Sequence, residues 1–161
     1  MARIKGTVGT TRGFSKAIGK WNQETLQRSE EAFANGLLDF YDELAAATPV
    51  DTGNLRNSLG VNINGAGDTA VVTGPGNTSA DSTFRGGAST AIATIMRVKL
   101  GDRVQFLYGA TYARRQNNGF SGFDRLGRYC NTPGKFWIER VGARYRSIMR
   151  AAASRLRIAA K

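Results

Sequence analysis

The run Thr48-Pro49-Val50-Asp51-Thr52-Gly53-Asn54-Leu55-Arg56-Asn57-Ser58-Leu59 constrains the fold more than any other stretch of this chain. Pro49 biases Thr48 away from the helical region, so a helix arriving from the N-terminal side has to stop there. Asp51 offers a carboxylate to the amides that follow it, which predicts a cap for a new, short helical turn. Leu55 and Leu59 sit four apart on one face, while Arg56 and Ser58 point elsewhere. Within a few residues the chain must end a helix, turn and begin a strand.

The segments on either side fit that demand. From about Lys20 to Ala47, the residues Leu26, Phe33, Leu37, Phe40, Leu44 and Ala47 recur at helical spacings. Glu24, Glu30, Glu31, Asp39, Asp42 and Glu43 lie largely off that stripe. Gly36 within it costs about 1 kcal/mol relative to Ala, which points to a close packing contact or a bend. After the turn, Leu59, Val61 and Ile63 alternate with polar residues. With a turn at Gly65–Asp68 and a return over Ala70–Thr73, they predict a hairpin. Ile92–Leu100 and Arg103–Tyr108 predict a second pair of strands around Gly101-Asp102. Tyr112–Asn118 reads as a short helix or an irregular edge, and Phe120–Asn131 as a loop. Thr132 as cap and Pro133 as first helical residue predict the start of a closing helix. Its stripe is Trp137, Val141, Tyr145, Ile148, Ala152, Leu156 and Ala159. The expected architecture is α+β: a long N-terminal helix, an antiparallel sheet of about four strands in two hairpins, and a long C-terminal helix packed on the sheet. Residues 1–17, basic and without periodicity, read as a flexible arm, and 18–161 as one domain with an exposed Gly/Ser-rich loop over 74–90.

Charge sharpens the picture. The net charge of +11 is distributed unevenly: residues 1–20 hold five basic groups and no acid, and 21–51 hold Arg28 against seven acids. Residues 134–161 carry eight basic groups against Glu139 alone. An acidic helix and two basic termini therefore share one small domain. Either opposite faces meet inside the fold, or they dock neighbouring copies or other proteins.

The residue inventory argues against catalysis. There is no histidine to serve as a general base, and one cysteine, Cys130, forms neither an internal disulfide nor a metal cluster. Asp39 and Glu43 are four apart, a spacing that a solvated acidic helix face explains. Gly65-Ala66-Gly67 lacks the Lys-Ser/Thr of a phosphate loop. No catalytic, cofactor-binding or metal-binding residue is expected, and no cofactor. The N-terminus has no long apolar run of the kind a secretory signal needs, and no stretch reaches the ~20 apolar residues of a membrane span. Nucleic-acid binding is the competing reading. Arg140, Arg144, Arg146, Arg150, Arg155 and Arg157 form a basic ridge on the last helix, as a protein that tracks phosphates would have. No DNA-binding motif accompanies it.

In order and spacing, Pro49-Val50-Asp51-Thr52-Gly53-x-Leu55-Arg56-x-Ser58, then Tyr112-Ala113 with Gly119, then Pro133-Gly134-Lys135-Phe136-Trp137 opening a closing helix resemble the tail-completion (neck) proteins of long-tailed bacteriophages. The resemblance spans roughly residues 20–160. It implies a non-enzymatic virion protein assembled in the host cytoplasm. Such a protein forms a ring, a hexamer, that joins the head-completion connector to the tail terminator or tail tube, with DNA passing through its channel. It makes Pro49 to Ser58 the signature turn and Tyr112 to Gly119 the Tyr-Ala element. Where the family often has Glu two residues before that Gly, this chain has Asn117. The candidate interface residues are Asp39, Asp42, Glu43, Tyr112, Arg114, Arg115, Arg144 and Arg150.

Overall fold

The structure is a computed structural model that describes residues 11–50, 53–67, 88–124 and 126–159. Helix α1 runs over Thr11–Ala47 and ends where Pro49 requires. It starts nine residues before the expected Lys20, so residues 11–17 of the proposed arm are helical; residues 1–10 lie outside the described residues. A four-residue helix α2, Asn54–Asn57, follows the turn. Strand β1, Leu59–Ile63, then leads through Asn64 and Gly65 into the two-residue strand β2, Ala66–Gly67. Positive φ at both Asn64 (53°) and Gly65 (82°) makes this a tight two-residue hairpin turn. It comes one residue earlier than the expected Gly65–Asp68. The return strand expected over 70–73, and residues 74–87 of the expected loop, lie outside the described residues.

Two assignments change beyond that point. Ile92 to Leu100 is not a strand: Ala88–Ile95 is helix α3, whose Ala91 and Ile95, four apart, are fully buried beside β1. The β-branched residues suggested extension, but burial of one helical face outweighs that weak preference. Strand β3, Val104–Tyr108, therefore pairs with β1, Leu59 opposite Tyr108 and Ile63 opposite Val104. The sheet order is β2-β1-β3, all antiparallel. Asn64 fixes its end: the side chain donates to Asp102 Oδ1 (2.7 Å) and accepts from Arg103 N (2.9 Å).

Downstream, helix α4 covers Ala113–Asn118. Phe120–Asn131 is no loop either: strands β4, Gly119–Phe123, and β5, Tyr129–Pro133, form a separate antiparallel pair. Pro133 ends β5 rather than opening a helix. The closing helix α5 begins at Trp137 and runs to Ala159, after Phe136 turns the chain with φ 47°.

The α+β class stands, with a difference in packing. Helix α5 lies antiparallel along α1, not across the sheet. Leu59, Val61, Ile63, Val104, Phe106 and Tyr108 share one sheet face and meet α1 residues Leu37, Phe40 and Leu44, α3 residues Ala91 and Ile95, and α5 residues Val141 and Ile148. Phe40 is the pivot, edge-on to Phe106 of the sheet and to Tyr145 of α5 at 5.1 and 5.3 Å. Each aliphatic side chain fully buried here contributes roughly 1.5–3 kcal/mol. Leu26 stays half exposed, so the buried stripe of α1 starts at Phe33.

Gly36 lets the two long helices approach. A methyl group there would stand 2.6 Å from Met149 Sδ and 3.4 Å from Ala152 Cβ. Met149 is flexible at that end, so Gly36→Ala should leave stability within about 1 kcal/mol, its helix-propensity gain set against the crowding. Gly36→Leu should force the helices apart and lower stability by about 1–3 kcal/mol. Thermal melts of the two variants distinguish the packing contact from a bend, for which both substitutions would act alike.

Candidate assembly surface

The signature turn is a structural joint. Gly53 takes φ 85°, a left-handed value that glycine adopts without strain, and occupies the position before α2 with no side-chain cap. The cap expected from Asp51 lies outside the described residues, as does Thr52. Arg56 Nε donates to Ala45 O (2.9 Å), bracing the turn against the end of α1. Ser58 is buried and donates to Leu55 O (2.8 Å). Pro49 is half-buried and Val50 exposed.

Leu55 points into a small second core with Ala110, Ala113 and Trp137. Three segments far apart in sequence meet in it: the turn, the Tyr-Ala element and the start of the closing helix. A hydrogen-bond relay runs beside it. Trp137 Nε1 donates to Tyr108 Oη (3.1 Å), the Tyr108 hydroxyl is 2.7 Å from Thr48 Oγ1, and Thr48 Oγ1 donates to Leu44 O (2.7 Å). Either hydroxyl can donate in the Tyr108–Thr48 contact, and the Tyr108 hydroxyl also stands 3.4 Å from Leu44 O. Burial pushes the Tyr108 hydroxyl above its ordinary value of 10.0, against the opposing pull of its bonds to Thr48 and Trp137.

Asn117 is buried at the position where the resembled family often has Glu. Its amide donates to both carboxylate oxygens of Glu139 (2.9 Å each), and its side-chain oxygen accepts from Ile138 N (3.2 Å). It thereby ties α4 to the first turn of α5. Nearby, backbone crosses backbone: methyl groups at Gly119 and Gly134 would stand 2.7 Å from Gly134 N and 2.6 Å from Asn118 C. Both sites therefore require glycine.

The candidate interface residues divide into two groups. Arg144 Nη1 stands 3.0 Å from Glu43 Oε2, and Arg155 pairs with Asp39. Glu43 Oε2 is buried with no aligned hydrogen bond, so the first contact is ionic rather than directed. The acidic face thus meets the basic C-terminal helix of its own chain, and Asp39 and Glu43 are occupied within the fold. Exposed pairs of this kind contribute about 0–1 kcal/mol each. Asp42, Arg114 and Arg150 are exposed, as are Arg140 and Arg146. Arg115 stacks over the Phe120 ring at 4.3 Å, and Tyr112 is partly exposed beside it.

One surface was not legible in the sequence. The β4–β5 hairpin presents exposed Phe123, Leu126 and Tyr129, with Phe123 edge-on to Tyr129 at 5.7 Å. Asp124 holds its turn by accepting from Leu126 N and Arg128 N (2.8 and 2.9 Å) and pairing with the Arg128 guanidinium. These bonds, the Arg128 amide first, keep its carboxyl below the usual 3.8. The alternation of Phe120, Gly122 and Cys130 against Ser121, Phe123 and Tyr129 was the available signal, weakened by its glycines.

Among the described residues no three His, Cys, Asp or Glu side chains come together as a metal site, and no helix is long and apolar enough to cross a membrane. No family model, characterised protein or solved structure matches this chain.

Tyr108→Phe should cost about 1–3 kcal/mol, because it leaves the buried Trp137 N–H without an acceptor. A raised folded pKa means that the stability linked to the Tyr108 proton is complete below 10.0 and is lost as pH rises through the higher folded value. Denaturant titrations above and below pH 10 should therefore show a smaller alkaline loss for Tyr108→Phe than for the wild-type chain. Gly134→Ala should cost about 2–3 kcal/mol through backbone clash, and a melt unchanged within error would contradict the crossing described here.

Proposed function

We propose that this chain is a structural, non-catalytic virion protein of the tail-completion type, forming a ring in the neck between head connector and tail and leaving a channel for DNA. One observation carries the reading. The three sequence cues that resemble that family, the turn at Leu55, the Tyr-Ala element at Ala113 and the closing helix at Trp137, converge on one buried cluster. Chance matches scattered through a chain have no reason to share a core. The exposed Asp42, Arg114, Arg146 and Arg150 and the apolar hairpin tip supply surfaces for neighbouring copies and for the proteins above and below the ring. The ring is taken to be a hexamer on the resemblance alone.

The nucleic-acid reading loses part of its ridge, because Arg144 and Arg155 are engaged by Glu43 and Asp39. Electron microscopy and native mass spectrometry of the purified protein, alone and with isolated tails, test the proposal. Rings, or tail-end occupancy that falls when Arg146 and Arg150 are replaced by Ala at unchanged melting temperature, are the expected outcome. Micromolar or tighter DNA binding that weakens steeply with salt, with no ring and no tail binding, would instead favour a phosphate-tracking module.

A further inference from the structure

Helix α4 and the β4–β5 pair frame a recess of about 210 Å³. Tyr112, just before α4, and Arg115 and Gln116 within it line one side, three and four residues apart and so on one helical face. Phe120, Cys130 and Thr132 line the other. They share a face of the strand pair, because Phe120 lies opposite Thr132 and Gly122 opposite Cys130. Gly122 adds no side chain there. A methyl group at that position would stand 3.2 Å from the tip of the Phe120 ring, so the ring leans over the glycine. The Arg115 guanidinium in turn stacks on the ring at 4.3 Å. Glycine, ring and guanidinium thus hold a cation in place at the recess.

That cation is unmatched. Asp124 also lines the recess, but its carboxylate is taken up by Leu126 N, Arg128 N and the Arg128 guanidinium. Among the described residues no hydrogen bond or ion pair reaches the Arg115 guanidinium, and the Phe120 ring is its contact. Gln116 and Thr132 add an amide and a hydroxyl as further donors. Size then selects the occupant. Cofactor and ligand sites run to roughly 300–1,000 Å³, so this recess suits a single side chain. A backbone phosphate of a nucleic acid, flanked by sugars on both sides, does not fit so small a space. A carboxylate on a short apolar stem does. Its methylenes rest on the aromatic walls and its two oxygens match the planar guanidinium fork.

We propose that the recess receives a glutamate side chain from an acidic segment of a partner protein, with Arg115 as the bidentate donor. This goes beyond the ring reading and holds whether or not the chain forms a ring. The stacked guanidinium is already restrained, so it loses less freedom on binding than an arginine free in solvent. Recognition of this kind depends on the fork as well as on the charge.

Cys130, the only cysteine of the chain, is half-buried in the wall of the recess and reports on its occupancy. The full-length protein is labelled with N-ethylmaleimide, a neutral reagent, over a concentration series of an acetylated, amidated hexaglutamate peptide. Protection is expressed as the ratio of rates with and without peptide, within each variant. Hexaglutamate should slow labelling of the wild-type thiol and shift the Arg115 Nε–H resonance. Arg115→Gln should raise the peptide concentration needed for half-protection at least about tenfold. Arg115→Lys, which keeps the charge and loses the fork, should fail to restore it. Arg115 is exposed, and thermal melts confirm that each variant is folded. Labelling indifferent to millimolar peptide, or protection that survives Arg115→Gln or returns in full with Arg115→Lys, would overturn the proposal. So would hexathymidylate protecting Cys130 better than hexaglutamate, since the recess would then belong to phosphate.

Discussion

The hydroxyl of Tyr108 is the contact on which the arrangement depends. It receives the Trp137 indole N–H and shares a hydrogen bond with the Thr48 hydroxyl, which reaches Leu44 O at the end of α1. One oxygen thereby ties together the end of the first helix, the last strand of the sheet and the start of the closing helix. A neutral phenol in a partly buried site can do this with every polar atom satisfied, whereas a charged group there would carry a desolvation penalty. The small cluster of Leu55, Ala110, Ala113 and Trp137 then packs against the node from the other side. The turn after Pro49 consequently has one geometry available to it.

Part of the segregated charge is resolved within the chain. Glu43 and Asp39, four residues apart on α1, reach Arg144 and Arg155, eleven residues and about three turns apart on α5. The pairs contribute little individually, and the register of the two helices rests on the close approach of Gly36 to Met149 and Ala152. Excess positive charge remains on the outer side of α5 at Arg146 and Arg150 and on α4 at Arg114. It is available for acidic partners, and it repels uncontrolled association in solution.

Among the described residues the surface presents the exposed start of α1, a stiffened hairpin with apolar residues at its tip and a basic helix flank. Asp124 is instructive, since its hydrogen bonds go entirely into shaping the hairpin turn. A pre-shaped tip loses less entropy on docking than a loop that must be ordered.

The sequence by itself determined the stop of α1 before Pro49, the strand at Leu59–Ile63, the long closing helix and the α+β class, because each is written in local spacing or in proline chemistry. It also flagged Gly36 as a close contact or a bend, and the three cues that the structure later gathers around Trp137. Tertiary structure alone decided that Ala88–Ile95 is helical, that β3 pairs with β1, that Phe120–Asn131 folds into a hairpin, and that Asp39 and Glu43 are taken by arginines more than a hundred residues away. Those outcomes depend on partners distant along the chain. A short apolar run such as Ile92–Leu100 suits either a helix or a strand until the surface that buries it is in place. A carboxylate four residues from another likewise looks solvated until a second helix brings the opposite charge.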